Sequence, residues 1–215
     1  MSKLVERYYE TTSEAEAQRF QRGQFCWGPA PYLPTRLATL ELVQYEPQDE
    51  RRNRYAVLPD PPANLVFNHT PVHELNLEYD EELLVVKAKR RLLMVASQAP
   101  TPWAPSQYRL QERGYACLPL YSFHHEDLPE FRARVRALEY PWWIYLPEDS
   151  SLRMREGFIR LDRMQVVKER LLQPIRVALT EDALFLVSEW LRYYLTEEID
   201  PLFLEDRRQL LEELQ

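Results

Sequence analysis

Between residues 35 and 87 no apolar run lasts long enough to make a helix. TLELVQYE, RYAVLP, NLVFN, HELNLEY and ELLVVKAK follow one another, each broken by Pro, Asn or Asp. Side chains on a strand alternate between faces, so short runs of this period build a sheet with one buried side. The chain carries 17 Pro against 4 Gly, and proline at this density keeps strands short and connections stiff.

The same reading extends outward. Ser13 and Glu16 have the spacing of a capping box and predict a short helix from Ser13. Residues 24–27 read as a strand ending in Gly28-Pro29-Ala30-Pro31. Residues 92–96 (LLMVA) form a buried strand flanked by Lys89, Arg90 and Arg91, and 115–121 (YACLPLY) form another. Residues 126–140 have helical spacing through Leu128, Phe131, Val135 and Leu138, with strands to follow at 142–146 and 157–167. Thr180 is placed to cap a helix whose inner stripe is Leu184, Val187, Leu191 and Tyr194. Asp200-Pro201 restarts a last helix with Phe203, Leu210 and Leu214 inside. The expected fold class is mainly β with α (α+β): a small, strongly curved antiparallel barrel with a C-terminal packing helix and extra helices. Residues 1–20 form a helical arm, 21–195 the barrel domain with a β-rich insertion at 35–87, and 196–215 a helical tail.

Composition narrows the function. The 215 residues carry a formal net charge of −7, with a pI of about 5.3. A general nucleic-acid binder draws its affinity from basic surface, so that class is excluded, while 27 Lys and Arg leave room for a local basic groove. Cys26 and Cys117 lack metal-type spacing and sit in apolar runs, as buried free thiols of a reducing, cytoplasmic compartment do. No apolar run approaches the roughly 18–20 residues of a membrane span, and the first twenty residues are too polar for a signal peptide. His69 and His73 have a zinc spacing only if helical, which Pro71 between them opposes. Neither a metal nor a cofactor is expected.

Chemistry-bearing residues concentrate in GFIRLDR, residues 157–163. On a strand Ile159 and Leu161 point one way, and Phe158, Arg160 and Asp162 the other. Arg160 and Asp162 would then lie about 6.5–7 Å apart on one face. By themselves they read as a surface ion pair worth about 0–1 kcal/mol.

Four segments in order change that reading. RGQFCW (22–27), RLLMVAS (91–97), LPLYS (118–122) and GFIRLDR (157–163) resemble the strand motifs of PemK/Kid/MazF-type toxins, and a terminal helix follows as in that family. The resemblance covers roughly 22–34 and 88–195. It implies an SH3-like barrel, usually dimeric, that cleaves single-stranded RNA without a metal and is held in check by an antitoxin-like protein. It further implies Asp162 as base and Arg160 as acid or phosphate clamp. An Arg gives up its proton too reluctantly to be an acid, so Arg160 is expected to stabilise charge. Arg91 is the second cation and Ser122 the hydroxyl that orients the reacting group. Arg90, Tyr121 and His124 are the expected RNA contacts, and His124 or His125 a substitute base, of which at most one reaches the site. Trp142, Trp143 and Tyr145 either stack on bases or pack internally.

Two features depart from the family. Tyr121 stands where it has Thr or Ser, and an acidic insertion (EPQDE, HELNLEYDEE) replaces a short loop. They leave an alternative open: a catalytically degenerate module that uses the insertion, arm or tail to bind a regulatory protein.

Overall fold

The computed structural model describes residues 5, 7–31, 38–44, 46, 48–49, 52, 54–59, 84–85, 88–97, 114–198, 200–202 and 205. In chain order the strands are β1 (Tyr9–Thr11), β2 (Gln24–Pro31), β3 (Ala38–Gln44), β4 (Arg54–Pro59), β5 (Leu84–Val85), β6 (Ala88–Val95), β7 (Gly114–Ser122), β8 (Trp143–Leu146), β9 (Gly157–Arg160), β10 (Gln165–Lys168) and β11 (Gln173–Leu179). The helices are α1 (Glu14–Ala17), α2 (Pro129–Arg136) and α3 (Glu181–Thr196). This is a mainly antiparallel β fold with a few helices, the α+β class that the short alternating runs imply.

The chain divides into two compact units, Met1–Ala30 with Arg90–Gln215, and Pro31–Lys89. The second unit contains the acidic segment 35–87 and holds a three-stranded sheet in the order β4-β3-β5. NLVFN, HELNLEY, His69, His73 and the tail beyond Glu205 lie outside the described residues.

The first unit is built on one sheet in the order β1-β11-β2-β6-β7-β9-β8, with β10 also on β7. Among the described residues no pairing joins β1 to β8, so the hydrogen-bonded path is open. β7 is its axis. One edge pairs with β6 through Val95↔Cys117, Met94↔Leu118 and Leu93↔Pro119. The other edge is shared: β10 lies opposite Gly114–Cys117, and β9 opposite Leu120, Tyr121 and Ser122. Pro119 falls at the handover, where it has no N–H to extend the ladder. There the chain between β9 and β10 leaves strand geometry for a 3-10 turn, Leu161–Arg163. The uninterrupted strand expected over 157–167 is therefore two strands and a turn.

Both faces of this sheet are covered. On one, Phe25, Met94, Leu118, Leu120 and Ile159 pack with Ala183, Leu186, Val187 and Trp190 of α3. On the other, Phe20, Cys26, Leu93, Val95, Tyr115, Cys117 and Val167 form a second cluster. Cys26 and Cys117 are free and buried, as expected. The Cys26 thiol donates to the Leu93 carbonyl oxygen at 3.7 Å. The neighbouring Cys117 thiol, then burial, pushes the Cys26 thiol pKa far up, so it stays protonated and inert.

Local signals set the helix ends. Ser13 and Glu16 close a capping box on α1, and Thr180 accepts from the Ala183 N–H at 3.4 Å to start α3. Residues 1–20 are more than a helical arm: β1 pairs with β11 through Tyr9↔Leu179, and Tyr9 is buried. α2 begins three residues later than 126, at Pro129, whose fixed φ suits the first helical position. It ends by Leu138, at φ 53°. Leu128 is consequently exposed outside the helix while Val135 and Leu138 are buried. In α3 the inner face is Ala183, Leu186, Val187 and Trp190, with Leu184 and Leu191 at its border and Tyr194 exposed. β2 runs past Trp27 through Gly28-Pro29-Ala30-Pro31. Pro29 and Pro31 are two apart, so both missing N–H groups fall on one strand edge, beyond the Gln173↔Trp27 pair with β11. Of the last helix, Pro201, Leu202 and Glu205 are described and helical.

Gly157 fixes how closely β9 approaches β7. A methyl group there would meet the Tyr121 carbonyl oxygen and stand 2.9 Å from the Ser122 Cα. Those are backbone atoms that no rotamer change can clear. Gly157→Ala is expected to lower stability by about 2–3 kcal/mol, read as a fall in the urea midpoint. A midpoint equal to wild type would show that β9 can shift freely.

Candidate functional site

Residues opposite one another across an antiparallel pair share a face. Tyr121, Phe158 and Tyr145 therefore form one row across β7, β9 and β8, and Arg160 with Trp143 forms the next. Arg91 lies two residues before Leu93, which faces Pro119, so it comes level with Tyr121 from β6. Its guanidinium carbon sits 4.3 Å from the centre of the Tyr121 ring. Arg160 reaches the same ring at 5.5 Å and the Trp143 ring at 5.5 Å. Three segments far apart in sequence thus bring Arg91, Tyr121 and Arg160 together.

Asp162 joins them differently from the strand expectation. The 3-10 turn folds it back onto Arg160, whose Nε donates to Oδ1 at 3.0 Å while Nη2 donates to Oδ2. The pair is bidentate and in direct contact, not 6.5–7 Å apart. Arg163 Nε lies 3.7 Å from the same carboxylate. The Arg160 and Asp162 side chains are 23% and 26% exposed, which leaves the pair reachable but partly desolvated. The bond to Asp162 raises the Arg160 pKa further above its ordinary value, so Arg160 can balance charge but not deliver a proton. Asp162 keeps acceptor capacity, because a carboxylate offers about four lone-pair positions and Arg160 occupies two.

The other expected site residues are dispersed. Ser122 has the strand parity of Leu118 and Leu120, opposite to Tyr121, and lies across from Gly157. Arg90 belongs to the exposed first half of β6, ahead of its buried residues. As the neighbour of Arg91 it points to the other face, where Nη2 donates to Gln173 Oε1 at 2.6 Å and the guanidinium covers Trp27 at 5.2 Å. His124 sits in an exposed turn; its N–H donates to Asp127 Oδ2 at 2.7 Å and its carbonyl accepts from Arg132. The His125 ring lies 3.6 Å from Glu126, also exposed. Among the described residues no group of His, Cys, Asp and Glu is placed to hold a metal. No helix among them is long and apolar enough to cross a membrane.

What the sequence reading does not anticipate is the aromatic bed under these charges. Tyr121 stacks on Phe158 at 5.9 Å and 15°, and Phe158 meets Trp143 at 4.9 Å, Phe123 at 5.5 Å and Phe131 at 6.1 Å. Phe131 comes from α2, which lies across this face. The last turn of α2 is pinned where Arg136 and the Tyr145 hydroxyl both donate to Glu156 Oε1, at 2.6–2.8 Å. Burial, then the bond to Glu156, raises the Tyr145 pKa well above that of a free phenol. The signal was present in part: alternation puts Phe158 on the Arg160 face, and Phe131 was a helical face residue.

Comparison of the chain with protein-family models, with curated proteins and with solved structures returned no match.

The geometry ranks the forces at this site. Tyr121→Ala removes a stacked ring and two guanidinium contacts and is expected to cost about 2–3 kcal/mol. Asp162→Ala breaks a pair that solvent still reaches in part and should cost about 1 kcal/mol. Urea unfolding of both variants checks the order, and a costlier Asp162→Ala would make the ion pair the main support.

Proposed function

We propose that the chain is a PemK/MazF-like protein that binds single-stranded RNA at the Arg91–Tyr121–Arg160–Asp162 face and cleaves it without a metal. The observation that carries this reading is the meeting of Arg91, Tyr121, Arg160 and Asp162, which lie in three of the motif segments, beside one another on one sheet face. A phosphate entering there meets two guanidinium groups, each able to offer a planar fork. Asp162 removes the proton of a ribose 2′-hydroxyl, and the oxygen attacks the adjacent phosphorus. The bond to the 5′-oxygen breaks, leaving a 2′,3′-cyclic phosphate and a 5′-hydroxyl whose proton comes from water. Arg91 and Arg160 balance the charge of the five-coordinate intermediate. Tyr121, in place of a small hydroxyl residue, supplies a phenol donor and a flat support. A homodimer and an antitoxin-like protein antagonist belong to the same reading.

A second reading, the binding module without catalysis, is favoured by one observation: both oxygens of Asp162 are already held by Arg160, with Arg163 close by.

Unstructured RNA incubated with the protein and a chelator separates them. Cleavage to cyclic-phosphate and 5′-hydroxyl ends, slowed about 10²–10⁴-fold by Asp162→Ala and about 10²–10³-fold by Arg91→Ala, is the expected result, read by gel and mass spectrometry. RNA left uncut overturns the nuclease and leaves the protein-binding module, which a failure of the chain to capture any protein partner would overturn in turn.

A further inference from the structure

The face that carries Arg160 does not end there. From Trp143 the rings continue to Tyr140 at 4.6 Å and on to Trp142, 6.4 Å from Tyr140. The Arg134 guanidinium lies 4.9 Å over the Tyr140 ring. Read from β6 outward, the order is Arg91, Tyr121, Arg160, Trp143, Tyr140, Arg134. Planar cations and planar rings run in one contiguous strip, from the strand motifs to the end of α2.

The fold builds this strip from the inside. Phe131 meets Trp143 edge-on at 5.5 Å and Phe158 at 6.1 Å, so the inner rings are fixed. α2 then stops at Arg136, and Leu138 takes a left-handed conformation that turns the chain back toward β8. That turn sets Tyr140 and Trp142 at the outer end. Here the groups are open to solvent: Trp142 is 41% exposed and the Arg134 side chain 48%. Arg134 donates to Glu139 at 2.7 Å, but so exposed a pair is worth little and can exchange its carboxylate for a phosphate.

We propose that the outer end of the strip, Arg134, Tyr140 and Trp142, is a second subsite for single-stranded RNA, one that extends the contact beyond the cleaved bond. It rests on the RNA reading above. Bases stack on Tyr140 and Trp142, and Arg134 takes a phosphate. Rings set beside cations suit the bases and phosphates of a single strand, whereas an acidic peptide would use the cations and leave the rings idle. Stacking needs no particular base, so the subsite adds affinity more than sequence choice.

Fluorescence-anisotropy titration of a labelled trinucleotide and a labelled dodecanucleotide, both unstructured RNA, tests this. The dodecamer is expected to bind more tightly than the trimer. Trp142→Ala is expected to weaken the dodecamer about tenfold and leave the trimer unchanged. Arg134→Gln should flatten the salt dependence of dodecamer binding by about 0.7 in log–log slope. Both residues are exposed, and circular dichroism confirms that each variant folds. If both variants bind the dodecamer as wild type does while Arg91→Ala weakens it, the second subsite is wrong and the RNA reading stands. If wild type binds neither oligonucleotide, both fall. Equal displacement of the dodecamer by poly-glutamate, with or without Trp142, would also overturn the stacking role.

Discussion

Every feature of the candidate site depends on how β7 is paired. Its first half is held by β10, its second by β9, and its far edge by β6. An antiparallel strand with two neighbours leaves few backbone groups for water, and Pro119, lacking an N–H, sits where one neighbour yields to the other. The break in the ladder frees residues 161–163 to form a 3-10 turn. Without that turn Asp162 would continue along the strand, about 6.5–7 Å from Arg160. With it, the carboxylate closes on the guanidinium. The acid and the cation thus meet at a turn that lies where β9 gives way to β10 along β7. Gly157 completes the constraint, because only a residue without Cβ lets β9 lie so close to the β7 backbone.

The second determinant is the environment of the charges. Arg91 and Arg160 rest on a tyrosine that itself stacks on Phe158, and Trp143 flanks Arg160. Each cation–ring contact contributes about 0.5–1 kcal/mol where solvent reaches it. That is enough to fix the guanidinium planes but small beside a charge-assisted bond to phosphate. The rings also exclude water from one side, which strengthens whatever ionic contact a ligand makes on the other. A chain of net charge −7 attracts no polyanion at long range, so affinity for one must arise from short-range contacts of this kind.

How much of this was legible in the sequence varies with the range of the cause. The capping signals at Ser13 and Thr180 act within one turn, and both helices start where they indicate. Alternation correctly separated Ile159 from Phe158 and Arg160, which lie on opposite faces of β9. It misplaced Asp162 because the strand is interrupted where its pairing with β7, some forty residues away in the chain, changes from β9 to β10, which no local pattern shows. β11, with Pro174 and Arg176 breaking its apolar run, gave too weak a period to stand out, yet β1 and β2 both pair with it.

The Arg-and-aromatic strip shows why motif residues alone understate a site. Of the residues the family resemblance points to, Arg91, Tyr121, Arg160 and Asp162 meet, while Ser122 and Arg90 point to the other face and His124 lies in an exposed turn. Parity explains the first two: a side chain one position along a strand is on the far side of the sheet. The groups that take their place, Phe131, Tyr140 and Trp143, come from α2, its exit turn and the start of β8, and none of the four motif segments includes them. Tyr121 fits this setting, because its ring joins the Phe158 stack at one end and both guanidinium groups at the other. The residue that departs most from the resembled pattern is therefore the one that links the charged half of the face to its aromatic half.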